Sequence, residues 1–368
     1  MNRKILLVIG LSIILAANQV LAQTVTTPRA ASPAAEASQT IGLSKVKISY
    51  SRPAVNEREI WGNIVPYGYN NLGFGTATEA PWRAGANENS IITFTHDAQV
   101  EGKSIPSGTY GLFVAIHESG KADIIFSKNS TSWGSFYYDK SEDQLRVSVN
   151  TEENAHTERL TFNFVELSRN EATVALDWEK KRIPFKISYD VDEIVLNNAR
   201  NELRSIPGFG WQGPLSAANY CLQNNINHEE ALQWADRALA NTDNFNGHFV
   251  KAGLLQQSGK AAEATAEFDL ASKLANVNQL NFMGYQLMGR NEHQKALEYF
   301  KLNVEKNPKN ANCHDSLGEC YVAMGENKLA IKEFKKSLSL APPPNVKANS
   351  IRNLKALGID TSEYEKGE

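Results

Sequence analysis

The sequence predicts a mixed multidomain chain, with an N-terminal antiparallel β-sandwich followed by an all-α helical repeat array. Three observations support this fold class. Short runs rich in β-branched and aromatic residues alternate with turn residues up to about residue 189. The hydrophobic period then changes to that of a helix. Finally, alanines recur at 231, 264, 296 and 330, a spacing of 32 to 34 residues.

The first 22 residues have the pattern of a secretory signal peptide. Arg3 and Lys4 precede an uncharged apolar run over 5–15, and Ala22 ends a stretch suited to signal peptidase. The run is too short for a membrane anchor, and no lipoprotein cysteine follows it. We therefore expect a periplasmic or secreted protein with no stable membrane insertion after cleavage. Residues 23–39 are rich in Thr, Ala, Ser and Pro, which predicts a disordered linker.

Composition and spacing exclude several function classes. The chain has 38 Lys and Arg against 41 Asp and Glu, a net charge of −3, so we expect no nucleic-acid partner. The seven histidines lack metal-ligand spacing, so no metal site and no cofactor are predicted. The three cysteines, Cys221, Cys313 and Cys320, are interpreted as buried apolar residues. No complete catalytic motif is present, so an enzyme is not the favoured interpretation.

The β-sandwich domain is predicted over residues 40–189. Its strands are expected at 47–51, 90–95, 108–117, 122–127, 144–149, 159–167, 172–178 and 182–189. Over 172–178, Val174, Leu176 and Trp178 share one face, as a half-solvated strand requires. No helical pattern of 10 to 15 residues separates these strands, which argues against a parallel sheet.

Ordered motifs between residues 50 and 176 resemble one known family. They are Ser51-Arg52-Pro53, Ile60-Trp61-Gly62-Asn63-Ile64-Val65-Pro66-Tyr67-Gly68, Trp82-Arg83-Ala84-Gly85-Ala86-Asn87-Glu88, Ile105-Pro106-Ser107-Gly108-Thr109-Tyr110, and Trp133-Gly134 followed by Tyr138, Asp143 and Arg146. This region is similar to the domain of unknown function 2911. The resemblance implies an exported bacterial protein but no established activity. Many members run almost directly from Pro-Tyr-Gly to Trp-Arg, whereas here residues 69–81 intervene.

Two groups of residues in the β domain are candidates for ligand binding. A guanidinium beside an amide and a carboxylate suits a hydroxylated or carboxylated ligand, and aromatic rings suit the faces of sugars. The candidate residues are Trp82, Arg83, Asn87, Glu88, Trp133 and Tyr138. In the alternative interpretation, the Arg–Glu pair pins a loop to the sheet and the aromatic residues pack in the core.

A junction helix and a Gly- and Pro-rich linker are predicted over 190–211. Residues 212–344 resemble tetratricopeptide repeats, because Gly318, Ala330 and Phe334 fall on signature positions and Gly284, Ala296 and Phe300 repeat them. The resemblance implies stacked helix pairs with a binding surface, and residues 345–368 are expected to form a capping helix and tail. The partner-binding candidates are Asn219, Asn246, Asn281 and Asn312, with simple solvation as the alternative.

Two functional hypotheses follow. The first is an exported, non-enzymatic interaction or scaffold protein, whose repeat array binds a protein partner and whose β domain binds a small or carbohydrate-like ligand. The second is an envelope hydrolase, in which Glu88 and Asp143 are acid and base and Arg83 holds the substrate. That chemistry requires both carboxylates to face one cleft.

Overall fold

The computed structural model describes residues 31–365, which divide into two compact units, one up to Asn197 and one from Asn198. Each unit is described separately. The predicted signal peptide lies outside the described residues. Within the described part, no helix has both the length and the apolar character needed to cross a bilayer.

Two antiparallel sheets form the first unit. The six-stranded sheet has the order β1-β2-β3-β6-β7-β8, and the four-stranded sheet has the order β5-β4-β10-β9. The strands are β1 (Ala34–Ile41), β2 (Ser44–Ser51), β3 (Ser90–Phe94), β4 (Ala98–Val100), β5 (Lys103–Ile105), β6 (Gly108–Ile116), β7 (Lys121–Ser127), β8 (Asp143–Asn150), β9 (Glu152–Val165) and β10 (Glu171–Ser188). The predicted antiparallel β architecture is confirmed, although the strands expected at 172–178 and 182–189 are one continuous strand, β10.

The main core of this unit lies between the two sheets. Alternate residues of each strand point inward, because successive side chains of a strand face opposite sides of the sheet. Trp178 is fully buried and stacks on Trp82, with ring centroids 5.8 Å apart and planes 16° apart. Trp61 contacts both rings edge-on. These three tryptophans tie the segment after β2 to the four-stranded sheet.

The outer face of the six-stranded sheet is also covered. Leu112, Val114 and Ile116 of β6 belong to the main core, so Phe113 and Ala115 face the other side. Both are nevertheless buried, as is Ile125 of β7. The covering comes from two connections, residues 69–81, here called the insertion loop, and residues 128–142, here called the β7–β8 loop. The insertion loop is anchored because Asn70 and Ala80 pair with each other and Trp82 pairs with Val114.

Strand β1 corrects the prediction of disorder for residues 34–39 of the predicted linker 23–39, whereas residues 23–30 lie outside the described residues. Residues 34–39 belong to an edge strand that pairs with β2 along its whole length. Its composition is poor in large apolar residues, but the strand is stabilised by a complete ladder of backbone hydrogen bonds rather than by burial. Ala35 and Ala37 pack on the core, while Glu36 accepts hydrogen bonds from Lys47 and Ser49 on the other face.

Helix α1 (Val191–Glu202) follows the β domain. Asp190 caps it, since Asp190 Oδ1 accepts a hydrogen bond from the Glu193 backbone N–H at 3.1 Å. The second unit then contains helices in antiparallel pairs. They are α2 (Gln212–Asn224), α3 (His228–Asn241), α4 (Phe245–Gln257), α5 (Ala261–Leu274), α6 (Val277–Met288), α7 (His293–Lys306), α8 (Ala311–Ala323), α9 (Asn327–Ser339), α10 (Pro344–Ala356) and α11 (Ser362–Glu365).

The sequence repeat has a direct structural counterpart in how the helices of each pair meet. A Cβ atom added at Gly284 would lie 2.5 Å from the Phe300 ring, and one at Gly318 would lie 2.7 Å from the Phe334 ring. Only glycine permits these close approaches, and both phenylalanines are fully buried as a result. The recurring alanines 231, 264, 296 and 330 are buried as well. The predicted tetratricopeptide-like array is therefore confirmed.

Asparagine caps set the start of three of the first helices of these pairs. Asn244, Asn276 and Asn310 precede α4, α6 and α8, and each side chain accepts a hydrogen bond from a backbone N–H of the first turn. Their spacing of 32 and 34 residues is that of the repeat. Within two of the pairs, a histidine of the first helix contacts a glutamate of the second: His248 Nδ1 with Glu267, and His314 Nδ1 with Glu333 at 2.7 Å.

Candidate functional site

A polar cleft opens on the outer face of the six-stranded sheet, between the insertion loop and the β7–β8 loop. Its volume is about 390 Å³, within the usual range for small-molecule sites. One wall comes from the insertion loop, the other from the β7–β8 loop, and strand β8 forms the floor. The lining residues are Tyr69, Thr76, Ala77, Thr78, Glu79, Tyr138, Asp139, Lys140 and Arg146.

Arg146 occupies the centre of the site. Its position on β8 follows from strand alternation, since Leu145 and Val147 face the core and Arg146 therefore faces outward. The guanidinium donates from Nη1 to the Tyr69 hydroxyl and from Nη2 to the Tyr138 hydroxyl, both at 2.7 Å. It also lies over the Tyr69 ring, 5.1 Å from the centroid. One cation thus joins the insertion loop to the β7–β8 loop.

Each of the two tyrosine hydroxyls donates a hydrogen bond to a carboxylate. Tyr69 Oη donates to Asp123 Oδ2 at 2.8 Å, and Tyr138 Oη donates to Asp143 at 2.8 and 2.9 Å. Arg146 Nη2 also donates to Asp143 Oδ2 at 2.7 Å. Burial, followed by the hydrogen bond to the neighbouring carboxylate, raises the pKa of both tyrosines above the usual value, so both hydroxyls stay protonated.

Asp123 is the carboxylate of strand β7 that accepts hydrogen bonds in this network. Its two oxygens accept from Tyr69 and Ser148, and His117 Nε2 lies 3.2 Å from Oδ2. Burial raises the pKa of Asp123, but the hydrogen bonds from Ser148, Tyr69 and His117 together outweigh burial and hold the pKa below its usual value. Ser148 contacts the aspartate and not the histidine, so this group lacks the serine-to-histidine contact of a nucleophilic triad.

Contacts between the two loops fix the shape of the cleft. The Ala77 backbone N–H donates to the Phe136 carbonyl at 3.0 Å. Gly75 has φ +79°, and a Cβ atom there would lie 2.1 Å from the same carbonyl, so glycine is required at this crossing. Next to it, Phe74 packs edge-on against Phe136 and Tyr137, with ring centroids 5.5 and 6.1 Å away. Phe74 and Tyr137 are 64% and 51% exposed.

The predicted ligand residues do not share one site. Trp82 packs on the tryptophans of the core, and its indole N–H donates to the Gly85 carbonyl at 3.2 Å. Arg83 donates to the Asn87 carbonyl at 2.6 Å and lies over the Phe136 ring, with its guanidinium against Gly134. Burial lowers the pKa of Arg83 from its usual value. Both side chains therefore connect loops to the β domain.

The other predicted residues are dispersed around these loops. Asn87 has φ +63° and donates to the Ser32 carbonyl at 3.2 Å. Glu88 is exposed and lines a surface depression next to β1 and β2. Trp133 is 53% exposed on the β7–β8 loop. Only Tyr138 of the predicted set lines the polar cleft.

The hydrolase hypothesis requires Glu88 and Asp143 to face one cleft. Glu88 lines the depression next to β1 and β2, whereas Asp143 lies behind the polar cleft and accepts hydrogen bonds from Tyr138 and Arg146. The two carboxylates thus belong to separate surfaces, and we do not pursue the acid–base pair.

Sequence reasoning missed most of the polar cleft. The sequence motifs contain Arg146 and Tyr138, but no motif singles out Tyr69 or Asp123 as a binding residue. A usable pattern was present in β8, where Arg146 and Ser148 alternate with the apolar residues Leu145 and Val147. Two polar residues on one face of a strand do not by themselves indicate a site, because that face is often solvated.

The four predicted partner-binding asparagines all lie on the first helices of the pairs. Asn246 is exposed near the start of α4, and Asn312, near the start of α8, is half-buried. Asn219 on α2 is also half-buried. Asn281 on α6 is half-buried too, and its side-chain oxygen is buried with no hydrogen-bond partner among the described residues.

Helix α6 presents the most distinctive surface of the array. It carries no charged residue, and Asn278, Phe282, Tyr285 and Gln286 form an exposed stripe at helical spacing. Phe282 is 46% exposed and Tyr285 38%. Tyr285 Oη contacts Ser316 Oγ at 3.0 Å and Glu319 at 2.5 Å, and the Phe282 ring contacts Phe249. The stripe therefore joins α4, α6 and α8. We call the exposed stripe of these four residues the α6 stripe.

Comparison with known proteins supports the assignment of the β domain. Residues 32–187 match the family model described as a protein of unknown function (DUF2911). The match covers both sheets, so the resemblance predicted from the ordered motifs is confirmed.

Two curated proteins match part of the chain. The anaphase-promoting complex subunit CDC16 of Saccharomyces cerevisiae is 32% identical over 114 residues, which are 31% of this chain and 13% of that protein. The BBSome complex member bbs-4 of Caenorhabditis elegans is 30% identical over 136 residues, 35% of this chain and 28% of that protein. The chain thus spans well under a third of the length of either relative.

Solved structures are also similar to part of the chain. MamA from Desulfovibrio magneticus RS-1 is 17% identical, with 42% of this chain and 93% of that chain covered and a TM-score of 0.28. YrrB, described as a TPR protein with an unusual peptide-binding site, is 19% identical, with 42% and 80% covered and a TM-score of 0.28.

Proposed function

We propose that this protein is an exported, non-enzymatic interaction protein. Its helical array binds a protein partner through the first helices of the pairs, and the β domain holds a small polar ligand in the cleft around Arg146. The observation that supports partner binding by the helical array is the α6 stripe. Exposed aromatic residues are rare on a solvated helix and frequent where a partner docks.

The chemistry of the stripe indicates the kind of segment that binds there. Helix α6 is uncharged, and residues 212–344 contain 13 Lys and Arg against 14 Asp and Glu. Long-range charge therefore selects neither an acidic nor a basic partner. The side-chain amides of Asn278 and Gln286 both donate and accept, as does the backbone of an extended peptide. Phe282 and Tyr285 supply apolar area between them. An uncharged, extended segment of a protein partner fits this surface.

Site-specific photocrosslinking tests this proposal in the full chain. A benzophenone amino acid in place of Phe282 is expected to crosslink one protein partner in the native host. The matched control is Leu270 on α5, which is 40% exposed but lies on a second helix. A crosslink from position 282 and none from 270 supports the proposal. No crosslink at 282, or the same products from both positions, refutes it.

Export is tested separately by cell fractionation and N-terminal sequencing. We expect the protein in the periplasm or the medium, with a mature chain beginning at Gln23. Recovery of an uncut chain in the cytoplasm would refute export and leave the crosslinking result unaffected.

A further inference from the structure

We propose that the polar cleft binds a neutral carbohydrate, with Arg146, Tyr69 and Tyr138 contacting its hydroxyl groups and Phe74 and Tyr137 packing on its ring faces. The inference rests on the proposed function of the β domain and deepens it by naming the ligand class.

The hydrogen-bonding capacity of the cleft matches hydroxyl groups. A guanidinium has five N–H groups, and three of those of Arg146 donate to Tyr69, Tyr138 and Asp143. Two N–H groups thus have no partner among the described residues. Each tyrosine hydroxyl donates a hydrogen bond to a carboxylate and accepts one from an Arg146 N–H. One acceptor position therefore remains on each hydroxyl oxygen. Donors and acceptors therefore lie side by side, and a hydroxyl group satisfies both.

The charge of the cleft favours a neutral ligand. Arg146 and Lys140 line it together with Glu79 and Asp139, so its walls carry two positive and two negative side chains. Asp143 lies behind Arg146 and accepts from it directly. The guanidinium is already paired with Asp143, and the acidic side chains of the lining balance Lys140, so a phosphate or carboxylate would meet no net positive charge. Thr76 and Thr78 add further hydroxyl groups to the wall.

The two loops that form the cleft also carry exposed aromatic rings. Phe74 lies two residues from Thr76 on the insertion loop, and Tyr137 lies next to Tyr138 on the β7–β8 loop. Their rings contact each other edge-on and are more than half exposed. Large apolar groups on a monomer surface mark a binding site when they are rimmed by polar residues. The C–H faces of a pyranose ring provide a complementary apolar surface, and its hydroxyls reach the polar floor.

The first experiment probes an array of neutral and acidic oligosaccharides with the full chain. We expect binding to one or more neutral glycans, and then saturable binding of the corresponding methyl glycoside by calorimetry. Binding to acidic glycans only, or to none, overturns the proposal. Neither result would affect crosslinking from position 282, so failure of the ligand class and failure of the partner surface are distinguishable.

Variants then locate the site. Phe74→Ala removes an exposed ring and should weaken binding at least tenfold without a loss of stability. The control is Phe209→Ala, which removes an exposed aromatic ring in the second unit and should leave binding unchanged. Arg146→Gln should abolish binding. If that variant unfolds, replacement of residues 71–79 by Gly-Gly is the second test, because Asn70 and Ala80 already pair and keep the ends together. Unchanged affinity in Phe74→Ala together with the shortened loop would refute the proposed site.

Discussion

Replacement of Arg83 by alanine separates a structural role from a ligand-binding role. The guanidinium makes one hydrogen bond to the Asn87 carbonyl at 2.6 Å and lies 5.4 Å from the centroid of the Phe136 ring. A hydrogen bond from a charged group contributes about 1.5–3 kcal/mol, and a cation over an aromatic face about 0.5–1 kcal/mol. Burial of the charge offsets part of this, as the lowered pKa of Arg83 shows. We therefore expect a loss of about 2 kcal/mol in the free energy of unfolding.

Thermal unfolding and hydrogen exchange measure this loss in the full chain. About 2 kcal/mol corresponds to a fall of about 4–8 °C in Tm for a domain of this size. Hydrogen exchange should show the lost protection in residues 84–89 and in the β7–β8 loop, with the helical array unaffected. Arg83→Lys is the matched variant, since it keeps the charge but not the planar guanidinium. Its Tm should lie between those of the native chain and of Arg83→Ala. An unchanged Tm combined with loss of glycan binding would refute the structural role.

Three further predictions concern the rest of the fold. Gly318→Ala places a Cβ atom 2.7 Å from the Phe334 ring and should cost about 1–3 kcal/mol in urea unfolding followed by far-ultraviolet circular dichroism; a neutral result would contradict the close packing. Burial raises the pKa of Cys313 and Cys320 to about 11. Iodoacetamide at pH 8 should therefore modify these two thiols only after unfolding. Rapid modification of the native protein would be inconsistent with their burial. The folded pKa of Asp123 lies below its unfolded value, so its stabilisation is complete above about pH 4 and is lost as the pH falls through the folded value. Urea unfolding of Asp123→Asn between pH 3 and 6 should therefore show a weaker acid destabilisation than the native chain, and an identical pH profile would contradict the hydrogen-bond network.

The helical array was predictable because its packing repeats in sequence. Each contact of Gly284 with Phe300 recurs one repeat later in Gly318 with Phe334, so a local steric requirement appears twice at a fixed spacing. The strands of the β domain were predictable for a similar reason, since alternation of apolar residues reports directly on the buried face. Both signals come from residues whose neighbours are close in sequence or repeated at a constant period.

Strand β1 and the polar cleft lack such a signal. Residues 34–39 form an edge strand held by backbone hydrogen bonds. Backbone pairing does not require particular side chains, so the amino-acid composition of the segment does not reveal it. In the cleft, Tyr69 and Arg146 are separated by 77 positions, and their contact depends on how a loop folds over the sheet. Polar residues that tertiary structure brings together have no fixed spacing in the sequence. Only the folded structure therefore identifies them as one network.

The insertion loop gives the cleft its chemical character. Arg146, Tyr138 and Asp143 belong to motifs by which the β domain resembles its family, and they would face solvent without a second wall. Tyr69 and the polar residues at 76, 78 and 79 come from the insertion loop, and this loop supplies about half of the cleft lining. Arg146 thus lies on a strand of the sheet, whereas the opposite wall of the proposed site comes from the insertion loop. In the proposed carbohydrate site, ligand choice would therefore depend on the length and composition of the loop between residues 69 and 81.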